Sequence, residues 1–272
     1  MAGDNKVVIV TGGASGLGLA MVRWFVSNGN RVAIFDINSS AGSIIVEELG
    51  REFPDSSITF ACCDIQSWEQ QLEAFKRTVE QYGRIDIVVA NAGIAEVDQL
   101  LREGDNELTK PALTTLNVNL VGLIYTVKLA VHYIKKNSEG YRNSRGSIIC
   151  TASNAGIYPF PVGPIYGASK FGVVGLVRSL ARPLESSKIQ INALLPAVFE
   201  TNIASDKSLF NHMKITPIET LIRAVGDLLS DTTITGAMAE LHGDSVTHRP
   251  PHEYVDSDTG SNLEKFWELG HC

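Results

Sequence analysis

Tyr166 and Lys170 have side chains whose types and spacing suggest acid/base chemistry. They are four residues apart in Tyr-Gly-Ala-Ser-Lys, so both lie on one face if the segment is helical. A free phenol, with a pKa of about 10, is a poor base at neutral pH, but a neighbouring ammonium favours the phenolate. Ser153 lies thirteen residues upstream, just past a predicted strand, where ligands bind a parallel sheet. These residues predict that the Tyr166 phenol transfers a proton. In the alternative interpretation, Tyr166 is an exposed tyrosine beside a solvated Lys170 and has no catalytic role.

A second group of residues forms the glycine-rich turn Thr11-Gly-Gly-Ala-Ser-Gly-Leu-Gly18. A tight turn from strand to helix needs glycine, because the backbone must approach a pyrophosphate without an intervening Cβ. A helix that begins near Gly16 would point its amides at the phosphates. Leu19 replaces the lysine of a Walker A loop, which excludes that motif. The turn therefore predicts a dinucleotide site, whose residues here are Gly12, Ser15, Gly16, Leu17 and Gly18.

Asp36 follows Gly18 by eighteen residues and ends the second predicted strand. A carboxylate at this position accepts hydrogen bonds from ribose hydroxyls and repels a 2′-phosphate. Its neighbours Ile37 and Asn38 offer no cation for a 2′-phosphate, and Ser15 offers none in the turn. We therefore predict NAD rather than NADP, with Asp36 and Ile37 at the ribose. In the alternative interpretation, Asp36 merely caps the next helix.

The elements that must position these residues are short β-branched runs alternating with longer helical patterns. This alternation is typical of βαβ units and a parallel sheet. The predicted strands are 6–11, 31–35, 57–61, 85–90, 147–151, 189–195 and 236–241. The predicted helices are 17–27, 41–53, 67–82, 114–136, 165–184 and 217–229, with a possible capping box from Ser67 to Gln70. The pattern predicts one doubly wound α/β Rossmann domain with a mostly parallel sheet.

The chain contains no repeat or Pro/Gly-rich linker that would divide this domain. We expect the domain over residues 1–243, with a substrate lid at about 198–215. The remaining stretch, 244–272, contains Pro250-Pro251 and scattered polar residues, so it is predicted to be a surface arm. Only 263–269 suggests a helix there, and Phe266 and Trp267 favour packing of the arm over fraying.

Composition restricts the class of protein. The 272 residues are 44% hydrophobic and 19% charged, with a net charge of -7, which is ordinary for a globular protein. The acidic balance argues against nucleic-acid binding. No basic and apolar leader opens the chain, and no stretch reads as a membrane span, so a cytoplasmic protein with reduced thiols is expected. The histidine and cysteine spacings suggest no metal site.

Several of these motifs occur in the order found in one known family. They are Thr11–Gly18, Asp64-Ile65, Asn91-Ala92-Gly93, Asn119 in Asn-Leu-Val-Gly, Ser153, Tyr166 with Lys170, and Pro196 to Thr201. Over nearly all of residues 6–243 the chain resembles the short-chain dehydrogenases/reductases. Within that family, Asp36 and an apolar pocket resemble the NAD-dependent hydroxyprostaglandin-dehydrogenase type.

The resemblance implies roles for the catalytic residues. Tyr166 would be the general acid/base, and Ser153 would hydrogen-bond the substrate oxygen. Lys170, together with the positive charge of an oxidised nicotinamide, would lower the phenol pKa, and Lys170 would also hold the nicotinamide ribose. Asn119 would hold a water that passes the proton to solvent. For the cofactor, the resemblance implies Asp64 and Ile65 at adenine, Asn91, Ala92 and Gly93 beside the adenosine ribose, and Pro196, Val198 and Thr201 near the carboxamide.

One departure from the family pattern is Ala197, where Pro-Gly is usual after the sixth strand. If this position requires a positive φ, alanine would cost about 1 kcal/mol or more. The alternative is a shifted nicotinamide loop. In either case, contacts of that loop are affected rather than the chemistry.

The segments expected to line the substrate site are apolar. They are residues 155–162, Ile94, Ala95 and Val97, and the lid residues Val198, Phe199, Ile203, Leu209, Phe210 and Met213, with His212 as a possible contact. They predict a bulky lipophilic secondary alcohol or ketone, a small-molecule substrate of steroid, prostanoid, terpenoid or polyketide type. The alternatives are an NAD-binding regulator without turnover and an isomerase or cyclase. On family grounds a homodimer or homotetramer is expected, paired through the helices at 114–136 and 165–184.

Overall fold

An eight-stranded sheet forms the centre of the molecule. The computed structural model describes residues 5–96, 100, 109–140, 143–201 and 207–270, with the side chains of 207–209 excepted. The strands are β1 Val7–Thr11, β2 Arg31–Asp36, β3 Ile58–Cys62, β4 Ile87–Ala90, β5 Gly146–Thr151, β6 Ile189–Pro196, β7 Met238–His242 and β8 Ser245–His248. Their spatial order is β3-β2-β1-β4-β5-β6-β7-β8, parallel except for β8. The predicted fold class, a mostly parallel doubly wound sheet, is confirmed.

Helices cover both faces of this sheet. They are α1 Gly16–Ser27, α2 Ser39–Glu52, α3 Trp68–Tyr82, α4 Thr114–Leu116, α5 Leu123–Ile134, α6 Pro164–Ser186, α7 Ile218–Ser230 and α8 Ser257–Leu269. One hydrophobic cluster joins the sheet to α1, α2 and α7, and the other joins it to α3, α5 and α6. The first strand shows why its sequence is apolar throughout: Ile9 packs into one cluster and Val8 and Val10 into the other.

The chain direction around β1 creates the binding crevice. Strands β2 and β3 lie on one side of β1 in the sheet, and β4 and the strands that follow it lie on the other side of β1. Loops after β1 and β4 therefore diverge, and a crevice opens at the carboxyl ends of these two strands. Every residue predicted from the sequence to be catalytic lies after β4 or β5 or on the helices that follow them.

The long predicted helix at 114–136 runs from Thr114 to Ile134 and changes geometry within it. Its middle, Asn117–Gly122, is a π-helix between α4 and α5. By length and composition Thr114–Ile134 could cross a membrane, but core helices of globular proteins pass the same test. Leu123, Val127 and Ala130 of this helix pack in the core. The helix is thus part of the layer over the sheet, and its π segment marks the place where it meets the crevice.

The end of the chain differs from the predicted arm. Residues 245–248 form β8, which pairs antiparallel with β7, with Ala239 opposite His248 and Leu241 opposite Val246. The sheet therefore continues past Gly243, where the predicted domain ends. The strand escaped sequence analysis because it has four residues and contains Ser, Thr and His rather than an apolar run. The predicted helix 263–269 is longer, Ser257–Leu269, with Asp256 capping it.

The start of α3 also differs in detail from the predicted capping box. Ser67 accepts a hydrogen bond from the Gln70 amide at 3.2 Å, as that motif requires. The Gln70 side chain does not return to Ser67: its Oε1 accepts from the Asp64 amide at 2.9 Å. Gln70 therefore fixes the loop after β3, which holds two of the predicted cofactor residues.

Candidate active site

The glycine-rich turn adopts a backbone that only glycine takes readily. Gly12 has φ +64° and Gly16 has φ +52°. A Cβ on Gly12 would lie 2.8 Å from the Ala92 Cα, so the turn and the segment after β4 touch through bare backbone. Gly12, Ser15, Gly16 and Leu17 line the crevice. The turn therefore offers the close backbone approach that a pyrophosphate needs.

Gly18 has a different position from the other predicted turn residues. It does not line the crevice; a Cβ there would lie 2.1 Å from the Gly12 carbonyl oxygen and 2.7 Å from Asn91 Nδ2. Gly18 therefore lets α1 pack closely against the turn. Its contribution to cofactor binding is the shape of the loop.

Asp36 lies in the crevice wall at the end of β2. Its Oδ2 accepts a hydrogen bond from the Ala14 amide and its Oδ1 from the Asn38 amide, both at 3.0 Å. The helix cap of α2 is Asn38, whose side chain accepts from the Ala41 amide, so the capping alternative does not describe Asp36. Each carboxylate oxygen still has acceptor capacity for a ribose hydroxyl. Ile37, 66% exposed, lies beside it and also lines the crevice.

At the far end of the crevice lies the loop with Asp64 and Ile65, where the sequence predicts the adenine. Asp64 Oδ1 accepts from the Gln66 amide at 2.9 Å. The fully buried Gln71 donates from Nε2 to the Ile65 carbonyl at 2.6 Å and to the Gly122 carbonyl at 2.9 Å. This loop is therefore fixed to the helix that carries the π segment.

Asn91, Ala92 and Gly93 connect the first strand to the reacting end. Thr11 Oγ1 accepts from the Asn91 and Ala92 amides at 2.9 and 3.0 Å. Asn91 Oδ1 in turn accepts from Thr151 Oγ1 at 3.1 Å. A Cβ on Gly93 would lie 3.2 Å from Asn119 Oδ1 and 3.5 Å from Lys170 Nζ. All three residues line the crevice, and Gly93 leaves the space in front of Lys170 open.

Lys170 is 3% exposed and lies behind Tyr166 on α6. Its Nζ donates to the Thr151 carbonyl at 3.0 Å and lies 5.6 Å from the centroid of the Tyr166 ring. Burial lowers the pKa of the Lys170 ammonium to about 8. The predicted four-residue spacing therefore brings the two side chains together in the crevice wall.

Burial is the largest effect on the Tyr166 phenol. It raises the pKa of the phenol above its ordinary value of 10.0, and a hydrogen bond with the Ser153 side chain lowers it. Lys170 Nζ lies 5.6 Å from the ring centroid and donates to the Thr151 carbonyl. The expectation that this ammonium and an oxidised nicotinamide together bring the pKa toward the working range stays a prediction.

Ser153 lies just past β5, 7% exposed and facing the crevice. Its Oγ accepts from the Ala155 amide at 3.1 Å and lies 3.5 Å from the Pro196 carbonyl, to which it can donate. The structure therefore brings Ser153, Tyr166 and Lys170 to one wall. A secondary alcohol placed there would meet a hydroxyl and a phenol together.

Asn119, fully buried in the π segment, does not line the crevice. Its Oδ1 accepts from the Ile94 amide at 2.8 Å, and its Nδ2 donates to the Ile94 carbonyl at 2.9 Å and to Ser169 Oγ at 3.3 Å. The side chain thus ties the segment after β4 to α6. The predicted contact with a proton-relaying water stays a prediction.

The end of β6 and the loop after it hold the residues that the resemblance places near the nicotinamide. Pro196, Ala197, Phe199 and Thr201 line the crevice, whereas Val198 does not; its carbonyl accepts from the Thr216 amide at 2.7 Å. Among the described residues, the non-glycine positions with positive φ are Asn5, Asn143 and Lys188. Ala197 is not one of them, so alanine carries no left-handed strain at this departure from the family pattern.

The substrate wall is only partly the one expected from the sequence. Ile94, Ala95 and Phe199 line the crevice of about 540 Å³ as predicted. The segment 155–162 does not: Tyr158 points to Glu240 and Arg249, and Val162 is 75% exposed. Phe160 of that segment lies near the reacting group, its ring centroid 5.6 Å from that of Tyr166.

The lid residues are a second correction to the predicted wall. Phe210, His212 and Met213 do not line the crevice, and Met213 is 47% exposed. Val97, Ile203 and the side chain of Leu209 lie outside the described part of the chain.

Several functional residues were not predicted from the sequence. Thr114 and Val118 line the crevice, Thr151 holds Lys170, and Gln71 holds the adenine loop. Thr151 ends a predicted strand, so its position gave a signal. Val118 lies in the π segment, and that geometry leaves no signature in the residue types. Glu96, which contacts the backbone of Tyr166, also escaped, since nothing in the sequence distinguishes it from a surface acid.

These residues fit a dinucleotide that has a free 2′-hydroxyl. Glycines that a Cβ would obstruct, a carboxylate with acceptor capacity and two buried polar side chains at the reacting end lie along one continuous crevice. Among the described residues no cluster of His, Cys, Asp or Glu could hold a metal ion.

Comparison with known proteins supports this interpretation. The family model described as short chain dehydrogenase matches residues 6–211. Short-chain dehydrogenase/reductase prx4 of Penicillium roqueforti is 38% identical over 203 residues, 74% of this chain and 56% of that protein. The chain thus spans little more than half the length of this relative. Human 15-hydroxyprostaglandin dehydrogenase [NAD(+)] is 35% identical over 202 residues, 74% of this chain and 70% of the human protein.

A solved structure resembles the whole domain. The crystal structure of 3-ketoacyl-(acyl-carrier-protein) reductase from Brucella melitensis, complexed with NADH, matches with a TM-score of 0.75 and 25% identity. The match covers 86% of this chain and 96% of the reductase. With a matching family model over most of its length and the site geometry described above, the chain belongs to the short-chain dehydrogenase/reductase family.

Proposed function

We propose that the protein oxidises a lipophilic secondary alcohol to a ketone with NAD, and that the reaction is reversible. The crevice offers a ribose carboxylate at Asp36 and an apolar wall of Ile94, Val118 and Phe199. The human relative is named as an NAD(+)-dependent dehydrogenase of 15-hydroxyprostaglandin, and the Brucella relative was crystallised with NADH. Both names are consistent with this cofactor and this substrate class.

The reaction assigns a separate task to each polar residue. When bound, NAD supplies an acceptor for the hydride that leaves the carbinol carbon. Tyr166 takes the hydroxyl proton, while Ser153 donates a hydrogen bond to the same substrate oxygen. Lys170 contributes positive charge behind the phenol and, by resemblance, binds the nicotinamide ribose. Asn119 is proposed to help return the proton to solvent, so the net products are ketone, NADH and one proton.

The proposal depends on the observation that Ser153, Tyr166 and Lys170 meet at one wall of the crevice. Tyr166→Phe removes the proton acceptor and keeps the ring. We expect kcat to fall about 100-fold or more, since acid/base catalysis contributes at least this much. NADH binding, measured by fluorescence, should change little.

Tyr158→Phe is a matched control for this experiment. Tyr158 also carries a hydrogen-bonded phenol in the segment after β5, but it lies outside the crevice. Its variant should keep kcat within about twofold of the wild type. Normal turnover by Tyr166→Phe would refute the proposed mechanism.

A screen of hydrophobic secondary alcohols, read by NADH absorbance, tests the substrate class. Net NADH formation supports oxidation. Conversion of an alcohol without a change in absorbance would instead indicate isomerisation or cyclisation. Binding of NADH without turnover of any alcohol or ketone would favour the regulatory alternative.

A homodimer or homotetramer in the cytoplasm remains our proposal for the working protein. Ile124 on α5 and Phe171 on α6 are large apolar residues, 39% and 48% exposed, on the helices expected to pair. Analytical ultracentrifugation at micromolar concentration tests this. A monomer there would contradict the proposed assembly.

A further inference from the structure

The amino end of α6, the helix that carries Tyr166, lacks a cap of its own. Its N-cap is Gly163, which has no side chain, and its first residue is Pro164, which has no N–H. Gly167 is the first residue of the helix whose amide donates to a backbone carbonyl of the same turn, that of Gly163, at 2.8 Å. The amides of Ile165 and Tyr166 therefore need an acceptor from elsewhere.

Glu96 supplies that acceptor from a different part of the chain. Its Oε2 accepts from the Tyr166 amide at 2.6 Å and its Oε1 from the Ile165 amide at 3.3 Å. One carboxylate thus satisfies both donors, and its negative charge lies at the positive end of the helix dipole. A Cβ on Gly163 would lie 3.4 Å from Glu96 Oε2, which places the carboxylate directly beside the N-cap residue.

The segment that carries Glu96 is itself held on two sides. The Ile94 amide and carbonyl both bond to the Asn119 side chain, and Thr115 Oγ1 donates to the Ala95 carbonyl at 3.1 Å. Ile94 and Ala95 also form part of the crevice wall. Glu96 therefore connects the first turn of α6 to the helix Thr114–Ile134 and to this wall of the crevice.

We propose that Glu96 is a positioning residue that fixes the backbone of Tyr166, and so sets the phenol against Ser153 and the substrate oxygen. The inference rests on the proposed role of Tyr166. Without the carboxylate, two amides lose their acceptor and the first turn of α6 becomes free to shift. A displacement of about 1 Å at a reacting group can cost about 100-fold in rate.

The test compares Glu96→Ala and Glu96→Gln with the wild type, using the secondary alcohol that is oxidised fastest in the screen. Glu96→Ala should lower kcat about 10- to 100-fold, with KM for NAD within about twofold, because the dinucleotide contacts remain. Glu96→Gln keeps one carbonyl oxygen as an acceptor and should retain more of the rate. The deuterium isotope effect on kcat, with the carbinol deuterated, should increase because the hydride step becomes slower.

A second readout needs no substrate. Hydrogen exchange followed by mass spectrometry on the full chain should show faster exchange in peptides covering residues 163–168 of both variants. Asp256→Ala is the matched control, since Asp256 caps α8 through the Thr259 amide at 2.7 Å, away from the crevice. It should lower the melting temperature without changing kcat, KM or exchange at 163–168.

The outcomes separate this inference from the proposed function. If Tyr166→Phe is inactive while Glu96→Ala has a normal kcat and unchanged hydrogen exchange, the role of Glu96 is wrong and the proposed function stands. Active Tyr166→Phe overturns the mechanism on which the role depends. If Glu96→Ala does not fold, Glu96→Gln decides: faster exchange with a lower kcat supports the inference, and wild-type values of both contradict it.

Discussion

Lys170 is a single residue whose charged form, buried in the site, lowers the stability of the folded protein. The ammonium is buried, and desolvation lowers its pKa from 10.5 to about 8. Between these values the unfolded chain binds more protons at this position than the folded one, so the contribution of Lys170 to stability rises with pH across that window. Below pH 8 the folded protein bears the full cost of a buried charge.

Lys170→Met should therefore stabilise the protein at pH 7 while it abolishes dehydrogenase activity. We expect a gain of about 1–3 kcal/mol in the free energy of unfolding, reduced by the lost hydrogen bond to Thr151. The advantage of the variant should shrink as the pH rises from about 8 toward 10.5. Urea unfolding of both proteins at several pH values measures it, and a difference independent of pH would contradict the burial argument.

Asp36 is the residue at which the choice between NAD and NADP should be decided. Its carboxylate lies in the crevice, and the next two residues, Ile37 and Asn38, carry no positive charge. Asp36→Ala should weaken NADH binding and narrow its preference over NADPH, because the ribose acceptor and the charge repulsion are both lost. Calorimetry with each nucleotide measures the two affinities. Equal affinities in the wild type would refute the assignment of NAD.

At the scale of elements, the packing of α1 against the glycine turn makes a sharp prediction. Gly18→Ala would place a Cβ 2.1 Å from the Gly12 carbonyl oxygen, a contact that only movement of backbone can relieve. We expect a loss of about 1–3 kcal/mol in stability and weaker NADH binding, since the turn must shift.

Gly50→Ala is the matched control for this packing prediction. Gly50 lies in α2, and a Cβ there would meet nothing within 4 Å. The variant should gain about 0.5–1 kcal/mol, as helical glycine usually does on replacement by alanine. Thermal unfolding and nucleotide titration compare both variants; an unperturbed Gly18→Ala would mean that α1 can separate from the turn.

The elements also show how much of the site the sequence could predict. Strands β1 to β7 and the glycine turn follow from local sequence pattern, and the Tyr166–Lys170 pair follows from helical spacing. The short polar strand β8 gave no such pattern and was missed. The substrate wall could not be predicted in this way. Whether Tyr158 faces the crevice depends on Glu240 and Arg249, more than 80 residues away in the chain. Likewise the position of Val118 depends on a π segment that residue types do not reveal.

At the scale of the molecule, one polar cluster joins the last strands to the segment after β5. The Glu240 side chain is nearly buried and accepts from Arg249 Nε, while Arg249 also donates to the Tyr158 hydroxyl at 2.7 Å. Arg178 of α6 donates to the Pro250 carbonyl at 3.0 Å. The chain after β8 is therefore fastened to the domain.

Arg249→Met should lower the melting temperature, because it leaves the buried Glu240 carboxylate without its positively charged partner and with the Tyr158 hydroxyl as its remaining side-chain donor. Adding Glu240→Gln to that variant should recover part of the loss, since the amide carries no charge. Differential scanning calorimetry of the single and double variants measures the coupling. Equal melting temperatures for the wild type and Arg249→Met would show that the pair contributes nothing.

The antiparallel strand β8 has a consequence for assembly. It occupies the outer row of peptide groups on β7, so a second subunit cannot lay its own β7 alongside to extend one sheet through both copies. The edge strand on this side of the sheet is β8, which has only four residues and is exposed at both ends. Such a short strand is a poor template for pairing with another chain. A homo-oligomer is therefore not expected to pair β7 with β7; the helical faces and the opposite edge strand, β3, remain available for contacts between subunits.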